Sequence, residues 1–426
     1  MTDILPESDT RVAPSRRTTA SSARADWVPV GDLVERIREQ AALPLEYATT
    51  LPAQTYVDPK FYELEVEKIL TRDWHAVARV EQVPNVGDFV NVDLVGEPLV
   101  IVRGDDDKIR VLSRLCRHRY ADVTADKLGN LPACGNLARF ECPYHMWTYR
   151  LDGELINAVD MQRRTDFDQA DYPLFEIRSE IWQGFIFVNL DDKTEIPLDM
   201  DSIAEYCGQY DMSEWEVVVT SDWGVLEAGW KIVVENFLEF YHHVGAHLAT
   251  LEHMIPGLNA IVGDGSGSPR CYTGRVPLSS EGAVAEVDGH LQGPTLVPPP
   301  PHFDAFHRGA YIIYTRFPTM MVAPCPDLTV WLQLLPLSAT SHRLLVHTLM
   351  HKSNIPEGGV TEELKAKAQG FFDPVQAEDC AINNRIQANM SSGRVGGGLF
   401  HDQEFPLLHM QRYLAMMLAD VKSSAQ

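Results

Sequence analysis

Long apolar runs are missing from this chain. None reaches the roughly 18 residues that a membrane-crossing helix needs, so no transmembrane segment is expected. The opening stretch, MTDILPESDTRVAPSRRTTASSARAD, has no apolar centre of the secretory kind, so no leader is expected either. Cysteine is sparse and odd in number, seven in 426 residues. That excludes a disulfide scaffold and points to a reducing compartment, so a cytoplasmic location is expected. Positive charge is short as well: 36 Lys and Arg stand against 60 Asp and Glu, a formal net charge of −24. Nucleic acid is therefore not expected as a partner, and an anionic membrane surface is disfavoured.

A length of 426 residues is enough for two domains with buried cores. Residues 1–26 are polar and lack periodicity, which reads as a mobile tail, and no organised domain is expected before about residue 41. Asp58-Pro59 is a helix start, an N-cap followed by Pro at the first helical position, and predicts a helix over 59–72. Short β-like runs follow at 89–95, 98–103, 109–115, 138–141, 147–151 and 184–189, so a small all-β domain is expected over about 75–195. The second half predicts a helix over about 231–244 and strands at 311–322, 328–335 and 342–351. A helix over 374–390 should be capped by Asp373. Between them, 256–308 is rich in Gly and Pro and reads as a lid or binding loop. Phe306, Tyr311, Tyr314, Met320, Met321 and Trp331 are candidates to shape a pocket, or simply core.

Two short clusters carry metal-ligand chemistry. Cys116-Arg-His118 is followed, after twenty-three residues, by Cys142-Pro-Tyr-His145. Two thiolates and two imidazoles suit a structural zinc site. They equally suit a Rieske [2Fe–2S] cluster, in which two Cys hold one iron and two His the other. Cys134, inside the spacer, is a rival thiolate without a nearby His. The run Cys-x-His … Cys-Pro-Tyr-His-x-Trp-x-Tyr, continued by Arg150-Leu-Asp-Gly-Glu-Leu155, resembles the large (alpha) subunits of Rieske non-heme iron oxygenases. The chain departs from that pattern at Tyr120 and Met146, where the family usually has Gly, and in its longer spacer.

The second cluster is Glu239-Phe-Tyr-His242-His243-Val-Gly-Ala-His247, set among apolar residues. A straight helix would align Glu239, His243 and His247 at i, i+4 and i+8. The resemblance selects differently. It implies His242 and His247 as ligands of a mononuclear Fe(2+), with Glu239 as the acid that bridges cluster and iron, and a helix broken near Gly245. A Glu at that position resembles the quaternary-ammonium oxygenases. The third ligand is expected from Asp379, a carboxylate on the apolar stripe of the predicted 374–390 helix, where it needs a partner such as a metal. Glu378 reads as more exposed. Two His and one carboxylate form a facial triad with positions left open for O2 and substrate. Asn236 and Tyr241 are candidates to orient the acid and His242.

The resemblance implies an α+β chain: an N-terminal all-β Rieske [2Fe–2S] domain plus a C-terminal helix-grip catalytic domain with a large antiparallel sheet. The expected division is 1–40 tail, 41–195 Rieske domain with its leading helix, and 196–426 iron domain. It also implies the terminal oxygenase of a system fed by NAD(P)H through a reductase and sometimes a ferredoxin. The substrate would be a small organic molecule, hydroxylated or oxidatively demethylated. A homotrimer is implied, with electrons crossing from His145 of one chain through Glu239 to His242 of the next. The alternatives are a cis-dihydroxylating dioxygenase with a small beta subunit, and a pure Rieske electron carrier.

Overall fold

The computed structural model describes residues 27–423 apart from 194, 266, 393 and 395. Helices α1 (Val30–Ala41), α2 (Gln54–Val57) and α3 (Pro59–Glu65) open the chain. Strands β1 (His75–Arg79), β2 (Asp88–Leu94), β3 (Glu97–Arg103), β4 (Ile109–Ser113) and β5 (Cys134–Asn136) follow. Next come β6 (Phe140–Glu141), β7 (Thr148–Tyr149), β8 (Leu155–Asn157), β9 (Glu176–Trp182) and β10 (Phe185–Asn189). The second half begins with α4 (Asp201–Cys207), β11 (Trp215–Leu226), α5 (Trp230–Leu238) and α6 (His243–Ala246). It continues with β12 (Ile261–Val262), β13 (Cys271–Pro277), β14 (Ala285–Val287), β15 (His290–Gln292) and β16 (Ala310–Arg316). The described chain closes with β17 (Met320–Pro324), β18 (Leu328–Ser338), β19 (Ser341–His351), α7 (Glu362–Met390) and α8 (Phe405–Met417).

The fold class is α+β. One seven-stranded sheet runs β1-β10-β9-β4-β3-β2-β5, and a three-stranded sheet β6-β7-β8 lies beside it. A second seven-stranded antiparallel sheet runs β11-β19-β18-β17-β16-β13-β12. Helices α5, α7 and α8 bury their inner faces with Val330, Leu332, Leu344 and Val346 of that sheet in one core. The first sheet hangs from the second half by its two ends. His75 pairs with Val188 across β1 and β10, and the Asn189 amide donates to the Arg72 carbonyl at 2.9 Å. His75 also ties the two halves, its ring bonding Thr319 at 2.9 Å and the Leu70 carbonyl at 2.7 Å.

Four sequence expectations are corrected here. The stretch expected to be tail up to residue 40 includes α1, whose Leu33, Val34 and Ile37 recur at i, i+1 and i+4 and are fully buried. Helix α1 and the leading helices pack into the core of the second half, with Arg38 donating to the carbonyls of Leu418, Ala419 and Val421. The strand expected at 311–322 is two strands, split at a Phe317-Pro318 turn where Pro cannot donate to a ladder. The helix expected from 374 begins at Thr361, whose hydroxyl caps Leu364 N–H. Pro374 lies inside it, and Asp373 accepts from Ser221 instead of capping. Finally, the helix expected over 231–244 stops at Leu238, and Glu239 is extended.

The inward face of α7 is also not the apolar stripe. Ile382 and Ile386 are both exposed, whereas Gln376, Cys380, Asn383 and Gln387 are buried. Their amide N–H groups are partnered, which offsets much of the cost of burial, although Asn383 Oδ1 is buried without a partner. Asn383 donates to Asn236 at 3.3 Å, and Gln387 donates to the Tyr56 carbonyl at 3.0 Å while accepting from Gly229 N–H at 2.7 Å.

Candidate metal centres

Two matching turns form the first centre. Residues 116–120 follow β4, and residues 142–146 join β6 to β7. In each, the fifth residue donates its N–H to the carbonyl of the Cys, Tyr120 to Cys116 at 2.9 Å and Met146 to Cys142 at 3.0 Å. Each fifth residue also has left-handed backbone, φ 60° at Tyr120 and 58° at Met146. These are the two positions where the sequence replaces the family's Gly, and the backbone shows why Gly suits them. Cys116 and Cys142 are both 1% exposed. Their sulfurs share a hydrogen bond, which lowers the Cys116 thiol and drives that of Cys142 upward. Tyr149 adds a bond to Cys116 Sγ at 3.3 Å.

The His118 and His145 rings meet 4.6 Å apart, and Trp147 stacks on His118 at 4.9 Å. The Nδ1 atoms of both His are buried without any hydrogen-bond partner. Buried polar atoms are rarely left so, and two orphaned imidazole nitrogens beside two paired sulfurs fit the donor set of a His₂Cys₂ cluster. Cys134 lies elsewhere, exposed on edge strand β5.

The second centre forms where α5 ends. His242 is the N-cap of α6 and His247 its C-cap, so one short helical turn carries both imidazoles. The chain therefore breaks before His242, over 239–242, and Gly245 sits inside α6; the break near Gly245 is not found. Asp379 Oδ1 lies 3.0 Å from His247 Nε2 and 3.7 Å from His242 Nε2. The outer nitrogen of each imidazole has its own carboxylate: Glu239 for His242 and Glu378 for His247, each at 2.7 Å. Asn236 donates to Asp379 Oδ1 at 3.2 Å, and Thr250 donates to Glu378 at 2.7 Å. Glu378 and Thr250 were not anticipated. The adjacent Glu-Asp pair was the available signal, but the assumed apolar stripe turned Glu378 outward.

His243 joins the group. Its ring lies 5.0 Å from that of His242 and 5.1 Å from that of His247, with Nδ1 on the Ile255 carbonyl at 3.2 Å. Burial, with His242 beside it, pulls this imidazole down to about 3, so it stays neutral. The three imidazoles hold their ligand atoms within 4.8 Å of one another. Tyr241 does not orient the acid: its ring stacks on His401 at 4.3 Å with 1° between the planes.

The second centre forms one wall of a cavity of about 150 Å³. Phe237, Phe240, Tyr311, Phe371 and Phe372 supply its aromatic lining. Of the six candidates named from sequence only Tyr311 lines it; Tyr314, Met320 and Trp331 belong to a separate core. The 256–308 stretch is partly ordered as β12 to β15, and Asp327 holds it by accepting the N–H groups of Leu296 and Val297 at 2.6 and 3.2 Å.

Known families match both regions. Residues 73–173 match the Rieske [2Fe-2S] domain, and residues 209–420 match the ring hydroxylating alpha subunit (catalytic domain). The chain belongs to the Rieske ring-hydroxylating oxygenase family. It is 34% identical to the glycine betaine monooxygenase oxygenase subunit of Chromohalobacter salexigens over 48% of this chain and 45% of the relative. It is 30% identical to the carnitine monooxygenase oxygenase subunit of Escherichia coli K12 over 47% of this chain and 52% of the relative. The chain thus spans about half the length of the curated relatives it matches. A solved quaternary ammonium Rieske monooxygenase shares the fold, with a TM-score of 0.73 at 19% identity over 92% of this chain and 99% of that one. No helix among the described residues is long and apolar enough to cross a membrane.

Proposed function

We propose that this chain is the terminal oxygenase of a Rieske non-heme iron system. It hydroxylates or oxidatively demethylates a small organic substrate with O2. Electrons come from NAD(P)H through a separate reductase, with or without a ferredoxin. The observation that carries this reading is the meeting of His242, His247 and Asp379 at the wall of an apolar cavity, each imidazole backed by its own carboxylate. Cys116, His118, Cys142 and His145 would hold the [2Fe–2S] cluster, and the triad would hold Fe(2+). When bound, these groups supply one-electron transfer and the activation of dioxygen.

The chain's own residues prepare both sites. Glu239 and Glu378 accept the Nδ1–H of His242 and His247, which fixes the tautomers and leaves both Nε2 lone pairs facing Asp379. Asn236 holds Asp379 in place, and the aromatic lining makes the wall opposite the triad largely apolar. Tyr120, Tyr144 and Met146 are exposed around the cluster turns. Such an apolar rim supports docking of another subunit, as a trimer requires, or of the electron donor. The functional units divide near residue 195, and the iron unit takes in the leading helices as well.

The test is the purified protein's metal content. The expected result is about three iron atoms and two acid-labile sulfides per chain, with a reduced-state electron resonance signal of His₂Cys₂ ligation. One zinc and no sulfide would overturn the reading.

A further inference from the structure

His243 has no part in the triad of His242, His247 and Asp379, yet it is built into the same group. The ring centres of His242, His243 and His247 form a near-equilateral triangle, with sides of 5.0, 5.1 and 5.0 Å. Imidazoles that share one tetrahedral ion, each nitrogen at about 2.0–2.1 Å, have ring centres roughly 5 Å apart. One nitrogen from each ring already lies within 4.8 Å of the other two. The rings therefore need to turn, not travel, to share an ion.

The hydrogen bonds leave the same atom free on each ring. Nδ1 of His242 meets Glu239 at 2.7 Å, Nδ1 of His247 meets Glu378 at 2.7 Å, and Nδ1 of His243 meets the Ile255 carbonyl at 3.2 Å. A carbonyl or carboxylate oxygen takes the N–H, so each neutral ring keeps its lone pair on Nε2. Three such lone pairs and Asp379 Oδ1, which lies 3.0 Å from His247 Nε2, make four N/O donors. The three rings are not equal. A carboxylate behind an imidazole strengthens it as a donor, whereas His243 has a neutral carbonyl at the longest of the three contacts. It is the donor that a metal satisfied by two His and one carboxylate leaves idle.

We infer that His243 is a fourth protein donor at the second centre, idle on iron and engaged by Zn2+, so that zinc closes the site with three His and Asp379. This rests on the oxygenase reading for the resident iron. Zn2+ binds such donors more tightly than Fe2+ does, and it takes four of them tetrahedrally. With all four supplied by the chain, the positions that O2 and substrate need are filled, and the zinc form is a closed, inactive state.

The test uses the purified chain with its cluster intact, the mononuclear iron removed by a chelator and one equivalent of Zn2+ added. Unchanged cluster absorbance shows that the first centre is undisturbed. X-ray absorption at the zinc edge should count three imidazoles; two would overturn the inference. Competition with a chromophoric chelator should show His243→Ala and His243→Asn losing zinc affinity by more than about a hundred-fold, beyond the loss of an outer partner, while Fe2+ affinity falls by less than about ten-fold. Asn keeps an amide N–H for the Ile255 carbonyl and serves if the Ala variant folds poorly. Unchanged zinc affinity in the variants, or an equal loss of zinc and iron, would also overturn the inference. The oxygenase reading fails separately: the chain as purified would hold neither sulfide nor iron, however many imidazoles zinc finds.

Discussion

Both cysteines and both histidines of the first centre stand on two turns of one small sheet region, and the turns repeat each other in hydrogen bonding and in left-handed backbone. The second centre joins one helical turn to a side chain far along the sequence: His247 and Glu378 are 131 residues apart. A centre made of a repeated local turn depends on backbone shape. A centre made across the fold depends on the packing of α5 against α7, and so on every amide between those helices. The two should therefore fail independently.

The largest expected effect is at the first centre. Cys142→Ala should abolish the visible absorbance and the labile sulfide, whereas Cys134→Ala should leave both intact. A bleached Cys134 variant would show that the edge strand, and not the second turn, supplies the thiolate. At the second centre, His242→Ala and Asp379→Ala should each lose the mononuclear iron and all oxygenation while the cluster spectrum persists. Loss of both metals in either variant would break the independence just drawn. His243→Ala, which removes the third ring but neither carboxylate-backed ligand, should retain most of its iron.

Acid should act where the halves meet. Burial holds the His75 imidazole down to about 4 in the folded chain, against 6.5 when unfolded. Below pH 6.5 the unfolded chain takes up a proton that the folded chain refuses. The contribution is thus present above 6.5 and is lost as pH falls toward 4, by up to about 3 kcal/mol. Denaturant titrations of wild type and His75→Gln over that range should converge as the pH drops; a constant difference would rule His75 out.

A smaller effect is expected behind the ligands. Glu378→Gln should weaken iron retention by about ten- to a hundred-fold, measured by competition with a chelator. An unchanged value would mean that the 2.7 Å contact does not orient His247. Glu239→Gln should keep both metals but slow reduction of the iron site. Least of all, Tyr120→Gly should stabilise the protein by about 1 kcal/mol, because Gly adopts the left-handed φ without the side-chain penalty. A lower melting temperature would show that the exposed Tyr120 ring contributes more than its backbone costs.

The contrast also explains what could be read from sequence. The first centre was legible because its ligands and their spacing lie in a short stretch whose turns are set locally. The positions of His242 and His247 came from resemblance, since a helical wheel preferred His243, whereas Asp379 came from an assumed apolar stripe on α7 together with the resemblance. The break before His242 was misplaced because Gly245 looked like the weaker link, yet Glu239 ends the helix by turning its carboxylate onto the His242 N–H and ring. Glu378 was missed because apolar periodicity was taken to mark the inner face of α7. That face is amide-rich, and only the partners on α5 and near Tyr56 make it favourable. Helix α1 was hidden for a similar reason: its apolar residues are few, and its docking surface lies at the far end of the chain.

That docking of α1 against the C-terminal segment has a consequence for biosynthesis. The stretch between Arg72 and Asn189 contains both strands of its own closing pair and can complete its sheet as soon as it leaves the ribosome. The leading helices must wait: the α8 residues they pack against, and the carbonyls that Arg38 binds, are made more than three hundred residues later. Newly made chains should therefore pass through a stage in which the cluster turns are formed while the iron unit is still open, with the apolar side of α1 uncovered and in need of a chaperone's protection.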